Sequence, residues 1–197
     1  MGLIFPNITL AILAGGKASR MGGTNKALLK WNGKTFVEKI LLSLGDVFSN
    51  TIIIANETEP YNHLGVQVRP DIFLGKGPLG GIHSALTHSK TDLIFAVSCD
   101  MPFADLNIAK QIAFSAEEAN GLAFIPRIGD MLEPLFGVYH RKGLSILTSI
   151  LEKSNDIPIR FYLNTIATQY IDLPINQETK KCFTNINTLA DYDKLNC

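Results

Sequence analysis

The sequence predicts an α/β fold, a single three-layer α/β/α domain over residues 1–197 with a mostly parallel sheet. Three observations carry that prediction. Runs that read as strands alternate with stretches of helical spacing from end to end. The runs are continuously apolar, as strands covered on both faces are. A chain of 197 residues with 46% hydrophobic content can bury one full core, and no repeat, low-complexity tract or linker divides it.

Each element follows in order. Ile8 to Leu13 reads as the first strand. Phe36, Val37, Ile40, Leu41, Leu44 and Phe48 then recur at three- and four-residue spacing, as one face of a helix does. Thr51 to Ala55 is a β-branched run of the kind parallel sheets bury, and Val66 to Val68 is a shorter strand. Pro78 suits the first turn of a helix running through Ser89, because its missing N–H would have no intrahelical partner there. Asp92 to Ser98 reads as a strand, Leu106 to Ala119 as a helix, Leu122 to Pro126 and Leu135 to Tyr139 as strands, and Leu144 to Lys153 as a helix. A strand over Thr168 to Leu173 and a short helix from Thr188 to Leu195 complete the chain. Helices between strands imply right-handed crossovers, and ligands in such folds sit at the carboxyl ends of the strands.

Composition excludes several function classes. Lys plus Arg equals Asp plus Glu at 18 each, so the clustered positive excess that nucleic-acid or membrane-surface binding needs is missing, and any anion site must be local. The longest apolar runs, such as Leu93 to Val97, fall far short of the roughly 18 residues of a membrane span. Met1 to Leu10 has no basic region and leads straight into the first strand, so no signal peptide is expected and the predicted location is cytoplasmic. Cys99, Cys182 and Cys197 form no C-x-x-C and read as reduced thiols.

The residues after each strand therefore matter most. Gly15-Gly16-Lys17-Ala18-Ser19-Arg20-Met21-Gly22-Gly23 follows the first one. Glycines let backbone N–H groups converge on an anion, and Lys17, Arg20 and Lys26 surround the same space with positive charge, which makes a polyphosphate cradle. A solvated glycine-rich turn is the blander reading. It is not a Walker loop, since Gly33-Lys34-Thr35 has Leu28 where the leading glycine must stand. Gly75-Lys76-Gly77-Pro78-Leu79-Gly80 satisfies G-x-G-x-x-G, with Asp100 about 20 residues on, as in a dinucleotide fingerprint. The stretch before it carries Pro70, however, which argues against a central strand, and a dinucleotide site leaves the first loop unexplained. Asp100 ends a hydrophobic strand in Ser98-Cys99-Asp100-Met101-Pro102-Phe103. Mg²⁺ often takes one or two carboxylates and completes its shell with water and phosphate oxygens, so Asp100 suffices on the protein side. The alternative is that Asp100 caps the helix near Leu106.

Together these stretches resemble the molybdenum cofactor guanylyltransferase family, within the larger group of sugar-nucleotide-type nucleotidyltransferases. The matching residues are Leu13-Ala-Gly-Gly-Lys-Ala-Ser-Arg-Met-Gly-Gly through Lys26, Asn56, Asp71 with Gly77-Pro78-Leu79, Cys99-Asp100-Met101-Pro102-Phe103, and Asn185-Ile186-Asn187-Thr188. They are collinear and cover most of the chain. The resemblance implies a Rossmann-like fold of the nucleotide-diphospho-sugar transferase type. It also implies transfer of GMP from GTP to the phosphate of molybdenum-molybdopterin, Mg²⁺ as cofactor, and transient contact with other proteins of cofactor biosynthesis. By the same resemblance Leu13, Ala14, Gly15, Gly16, Lys26, Asn56, Asp71 and Asp100 contact GTP, Asp100 holds the metal, and Lys26, Arg20 and Asp100 steady the phosphates. Two positions depart from the family: Asn25 stands where Asp is usual before the lysine, and Gly80 where Ala is usual.

A phosphomonoester with a second pKa near 6 is mostly ionised at neutral pH and attacks the α-phosphorus without a dedicated base. This suits a chain whose His63, His83, His88 and His140 form no constellation. Asp71 follows a strand and precedes a glycine-rich turn, where a carboxylate can accept the N1–H and N2–H donors of guanine together; it can equally cap the turn or bind ribose. Two other functions stay open at this stage, a related transferase with another base or acceptor and a non-catalytic nucleotide-binding protein.

Overall fold

The chain's longest apolar stretches form the centre of one sheet, because strands buried on both faces need neighbours on both sides. The computed structural model describes residues 5–15, 25–154 and 157–195. β1 (Phe5–Leu13) is buried continuously from Ile8 onward. A 3-10 turn at Lys26–Leu28 leads to the small antiparallel hairpin of β2 (Lys30–Trp31) and β3 (Lys34–Thr35), whose turn residues Asn32 and Gly33 have φ of 52° and 76°. Then come α1 (Phe36–Leu44), β4 (Phe48–Ile54), β5 (Gln67–Arg69), α2 (Gly77–His88), β6 (Leu93–Ser98) and α3 (Leu106–Glu118). The chain continues through β7 (Ala123–Ile128), β8 (Met131–Leu132), β9 (Phe136–His140), α4 (Leu144–Lys153), α5 (Ile159–Thr165), β10 (Thr168–Asp172), α6 (Gln177–Cys182) and α7 (Leu189–Leu195).

The main sheet runs β10-β7-β9-β6-β1-β4-β5, with β8 added against β7. Its centre and both ends are parallel, while β9 lies antiparallel between β6 and β7. The expectation of a mostly parallel, doubly covered sheet therefore holds, with one reversed strand inside it. Alternate residues of β1 face opposite ways: Ile8, Leu10 and Ile12 join α1 and α3 in one core, and Ala11 and Leu13 join α2, α4 and α5 in the other.

Local chemistry sets the helix ends. Thr35 and Glu38 form a reciprocal capping box that starts α1. Asp105 accepts from the backbone N–H groups of Asn107 and Ile108 to cap α3. Asp105 rather than Asp100 thus caps the helix near Leu106. The predicted helix through Phe48 is shorter than its spacing suggests: α1 stops at Leu44, and a 3-10 turn at Gly45–Val47 hands the chain to β4. Phe48 joins the sheet instead, its ring 5.3 Å from Phe95 and 5.8 Å from Phe5, where aromatic packing outweighs the helical period.

Candidate functional site

Parallel pairing aligns the strand ends that make the site. Leu13 pairs with both Ile54 and Ser98, and Ile54 pairs with Arg69. The ladder continues one step further, with Ala14 N–H donating to Ile54 O, Ala55 N–H to Arg69 O and Cys99 N–H to Leu13 O. The second residue past each aligned end is Gly15, Asn56, Asp71 or Asp100. Register thus gathers four sequence-predicted residues into one row on the carboxyl edge.

Asn56 and Asp71 hold one another. The Asn56 amide donates to Asp71 Oδ2 at 3.3 Å, and Asp71 N–H donates to Asn56 Oδ1 at 3.0 Å. Asp71 Oδ1 is buried and has no hydrogen-bond partner among the described residues. Burial pushes the Asp71 carboxyl above its ordinary pKa, against a smaller lowering by Asn56. A Cβ on Gly15 would lie 2.8 Å from Asp71 Oδ2, so glycine is what lets the backbone just past β1 approach this carboxylate.

Asp100 and Lys26 make the second half. Lys26 begins a 3-10 turn capped by Asn25, whose Oδ1 accepts from Ala27 N–H at 3.1 Å while its amide donates to the Tyr61 hydroxyl at 2.9 Å. An Asp would accept the capping bond equally; what Asn25 adds is the amide that donates to Tyr61. Lys26 Nζ donates to Asn187 Oδ1 at 2.8 Å and stands 3.5 Å from Asp100 Oδ2. Both side chains are mostly enclosed, at 22% and 16% exposure. Asp100 Oδ1 is a second buried oxygen with no partner among the described residues. The neighbouring Cys99 thiol is pushed up to about 12, first by burial and then by the Asp100 charge, and so stays protonated at neutral pH.

Sequence reasoning missed Glu133. It follows β8, its carboxylate faces the Leu135 N–H at 3.4 Å and the Asn185 amide at 3.5 Å, and burial, with a smaller push from Asp100, raises its pKa. No strand-end or glycine signal marks it; only its place beside the Asn185 segment does. Asn187, quoted as part of a motif, gains a partner here in Lys26.

Leu13, Ala14, Gly15, Lys26, Asn56, Asp71 and Asp100 are all gathered at this edge. Gly16 and Arg20, with Lys17, Gly22 and Gly23, lie outside the described residues. The second glycine motif is structural: Lys76 Nζ donates to the carbonyls of Leu151 and Ser154 at the end of α4. A Cβ on Gly80 would lie 2.8 Å from the Phe73 carbonyl, which accounts for glycine at that departure. His83 is buried between helices with Nε2 3.0 Å from Thr148 Oγ1, while its Nδ1 has no partner among the described residues. No group of three or more His, Cys, Asp or Glu that would cage a metal occurs among the described residues. The Asp100 oxygen that has no partner among the described residues fits a magnesium ion that takes a single protein carboxylate and draws its other ligands from water and phosphate.

Comparison with known proteins agrees with this geometry. The MobA-like NTP transferase domain matches residues 10–164. A Clostridium perfringens (strain 13 / Type A) protein named probable molybdenum cofactor guanylyltransferase is 36% identical over 189 residues, covering 94% of each chain. The molybdenum cofactor guanylyltransferase of Vibrio parahaemolyticus is 32% identical over 188 residues, covering 93% of this chain and 94% of its own. The crystal structure of molybdopterin-guanine dinucleotide biosynthesis protein A from Archaeoglobus fulgidus superposes with a TM-score of 0.79, covering 95% and 96% of the two chains. Its identity is 24%, so that likeness speaks to the fold.

Proposed function

This chain belongs to the MobA-like NTP transferase family, and on that premise we propose that it transfers GMP from GTP to the phosphate of molybdenum-molybdopterin, releasing pyrophosphate. The observation that carries the reading is the Lys26–Asp100 pair at the carboxyl edge, an ammonium beside a carboxylate whose buried Oδ1 has no partner among the described residues. Such a pair suits a metal-bound triphosphate, with the anion on the lysine and the cation on the aspartate.

In this mechanism the chain contributes position and charge. Lys26, held by Asn187, would meet the β- and γ-phosphates; the Ala14 N–H is already given to the Ile54 carbonyl, so the ammonium supplies the described donor to them. Asp100 would hold the magnesium ion, which would neutralise phosphate charge there. The ionised acceptor oxygen forms a bond to the α-phosphorus as the bond to the bridging oxygen breaks, and pyrophosphate leaves with that electron pair. No proton must move to a protein base. This agrees with a protonated Cys99 and with His83 being turned into the core. Asp71, whose Oδ1 has no partner among the described residues, accepts the N1–H and N2–H donors of guanine, a pair that adenine and cytosine do not present on that edge. The same reading places the protein in the cytoplasm, and no helix among the described residues is long and apolar enough to cross a membrane.

Pyrophosphate release with each of the four NTPs, with and without molybdopterin, tests the assignment. Release with GTP that requires molybdopterin supports it. Equal release with CTP, or none with any nucleotide, overturns it.

A further inference from the structure

The chain beyond the last strand returns to the site and is fastened there twice. Ile186 N–H donates to the Asp100 carbonyl at 2.9 Å, and Asn187 Oδ1 accepts from Lys26 Nζ at 2.8 Å. Just past this point Asp191 Oδ2 accepts from Asn187 N–H at 3.1 Å, from Thr188 N–H at 2.9 Å and from the Thr188 hydroxyl at 2.8 Å. Thr188 Oγ1 accepts in return from Asp191 N–H at 3.1 Å. These bonds hold the Asp191 carboxyl below its ordinary pKa, the Thr188 hydroxyl contributing most.

Helix α7 then docks on the β2–β3 hairpin, only a few residues after Lys26. The Tyr192 hydroxyl donates to the Lys30 carbonyl at 2.6 Å, and the Trp31 indole N–H donates to the Leu195 carbonyl at 3.0 Å. The Tyr192 ring meets Phe36 edge-on at 6.2 Å. Yet α7 has no buried residue of its own. A helix that adds little to the core but bonds the hairpin just after Lys26 at one end and the Asn187 that holds the Lys26 ammonium at the other is placed for alignment.

We propose that α7 is a clasp, in which Asp191 and Tyr192 are positioning residues that fix Asn187 and, through it, the Lys26 ammonium beside Asp100. The proposal rests on the triphosphate reading of the site. A free lysine side chain loses much rotamer freedom when it grips an anion. Here one ammonium N–H is already committed to Asn187 and the group lies against Asp100, which leaves a donor for phosphate. Prior ordering of this kind raises affinity without adding a contact.

Calorimetric binding of inorganic tripolyphosphate to the full chain tests the clasp independently of base and acceptor. Asp191→Ala is expected to weaken binding about three- to tenfold, and Asp191→Asn, which keeps an acceptor oxygen, to restore most of it. Tyr192→Phe keeps the ring on Phe36 and is expected to lose about two- to threefold. In a Lys26→Ala background Asp191→Ala should have no further effect. Unchanged tripolyphosphate affinity in Asp191→Ala, or the same loss with Lys26 already removed, overturns the clasp. If this variant pattern appears but the parent chain transfers no GMP, the clasp stands and the transferase reading falls.

Discussion

The two edges of the sheet treat their polar groups in opposite ways. At the amino edge, Thr9 Oγ1 and Thr91 Oγ1 lie 2.8 Å apart, Ser89 Oγ donates to Thr91 O, and Arg141 donates to the carbonyls of Ser89 and Thr91 at 2.7 Å each. Arg141 also pairs with Asp92 at 3.3 Å. A cleft of about 360 Å³ opens there among Thr9, Asn50, Thr51, Gln67 and Ser89, with no acidic side chain in its lining. At the carboxyl edge, Asp71 and Asp100 each keep a buried oxygen with no partner among the described residues. Buried carboxylate oxygens left unshared would cost stability, and among the described residues two of them lie on this one edge, where a ligand can use them. Cavity volume alone does not mark the site; unmet polar capacity beside a cation does.

The contrast yields predictions that either break or sharpen it. Asp100→Asn should lower turnover by about a thousandfold or more while the protein stays folded, since a metal-binding charge is lost at nearly constant volume. Near-normal turnover at saturating Mg²⁺ would remove Asp100 from the chemistry. Lys26→Ala should weaken GTP binding about 10- to 100-fold and guanosine binding far less, the loss of one charged hydrogen bond. Equal calorimetric losses for both ligands would make Lys26 structural.

Asp71→Ala should reduce the preference for GTP over ATP and CTP at least about tenfold. The preference also has a pH signature: burial raises the Asp71 pKa, so the ionised acceptor is lost as pH falls through a value above the ordinary carboxylate range. A proportional loss with every nucleotide would give Asp71 to the ribose or to the turn. At the amino edge, Thr91→Val should cost about 1 kcal/mol in a urea melt and leave transfer unchanged. Loss of activity without loss of stability would erase the difference between the edges.

Much of this was legible in the sequence because strand ends are chemically loud. The β-branched run at Thr51 and the proline opening α2 announced their elements, and the carboxyl-end rule selected Asp71 and Asp100 before any register was known. The reversed direction of β9 was not legible, since alternation carries no sign of chain direction. The short helices α5 and α6 offer too few residues for a period to emerge. The hairpin before α1 went unread, although its Asn32-Gly33 pair is a strong two-residue turn signal. Glu133 was not readable, for its role depends on a contact with Asn185 across 52 positions of sequence.

The fate of the nucleotide's phosphates tests the central claim most directly. With GTP labelled at the α-phosphorus, molybdopterin and Mg²⁺, the predicted result is label in a guanine dinucleotide, and label placed at the γ-position should leave as pyrophosphate. Alpha label recovered only as free GMP or GDP, or retained on the protein, would contradict direct transfer to the acceptor phosphate.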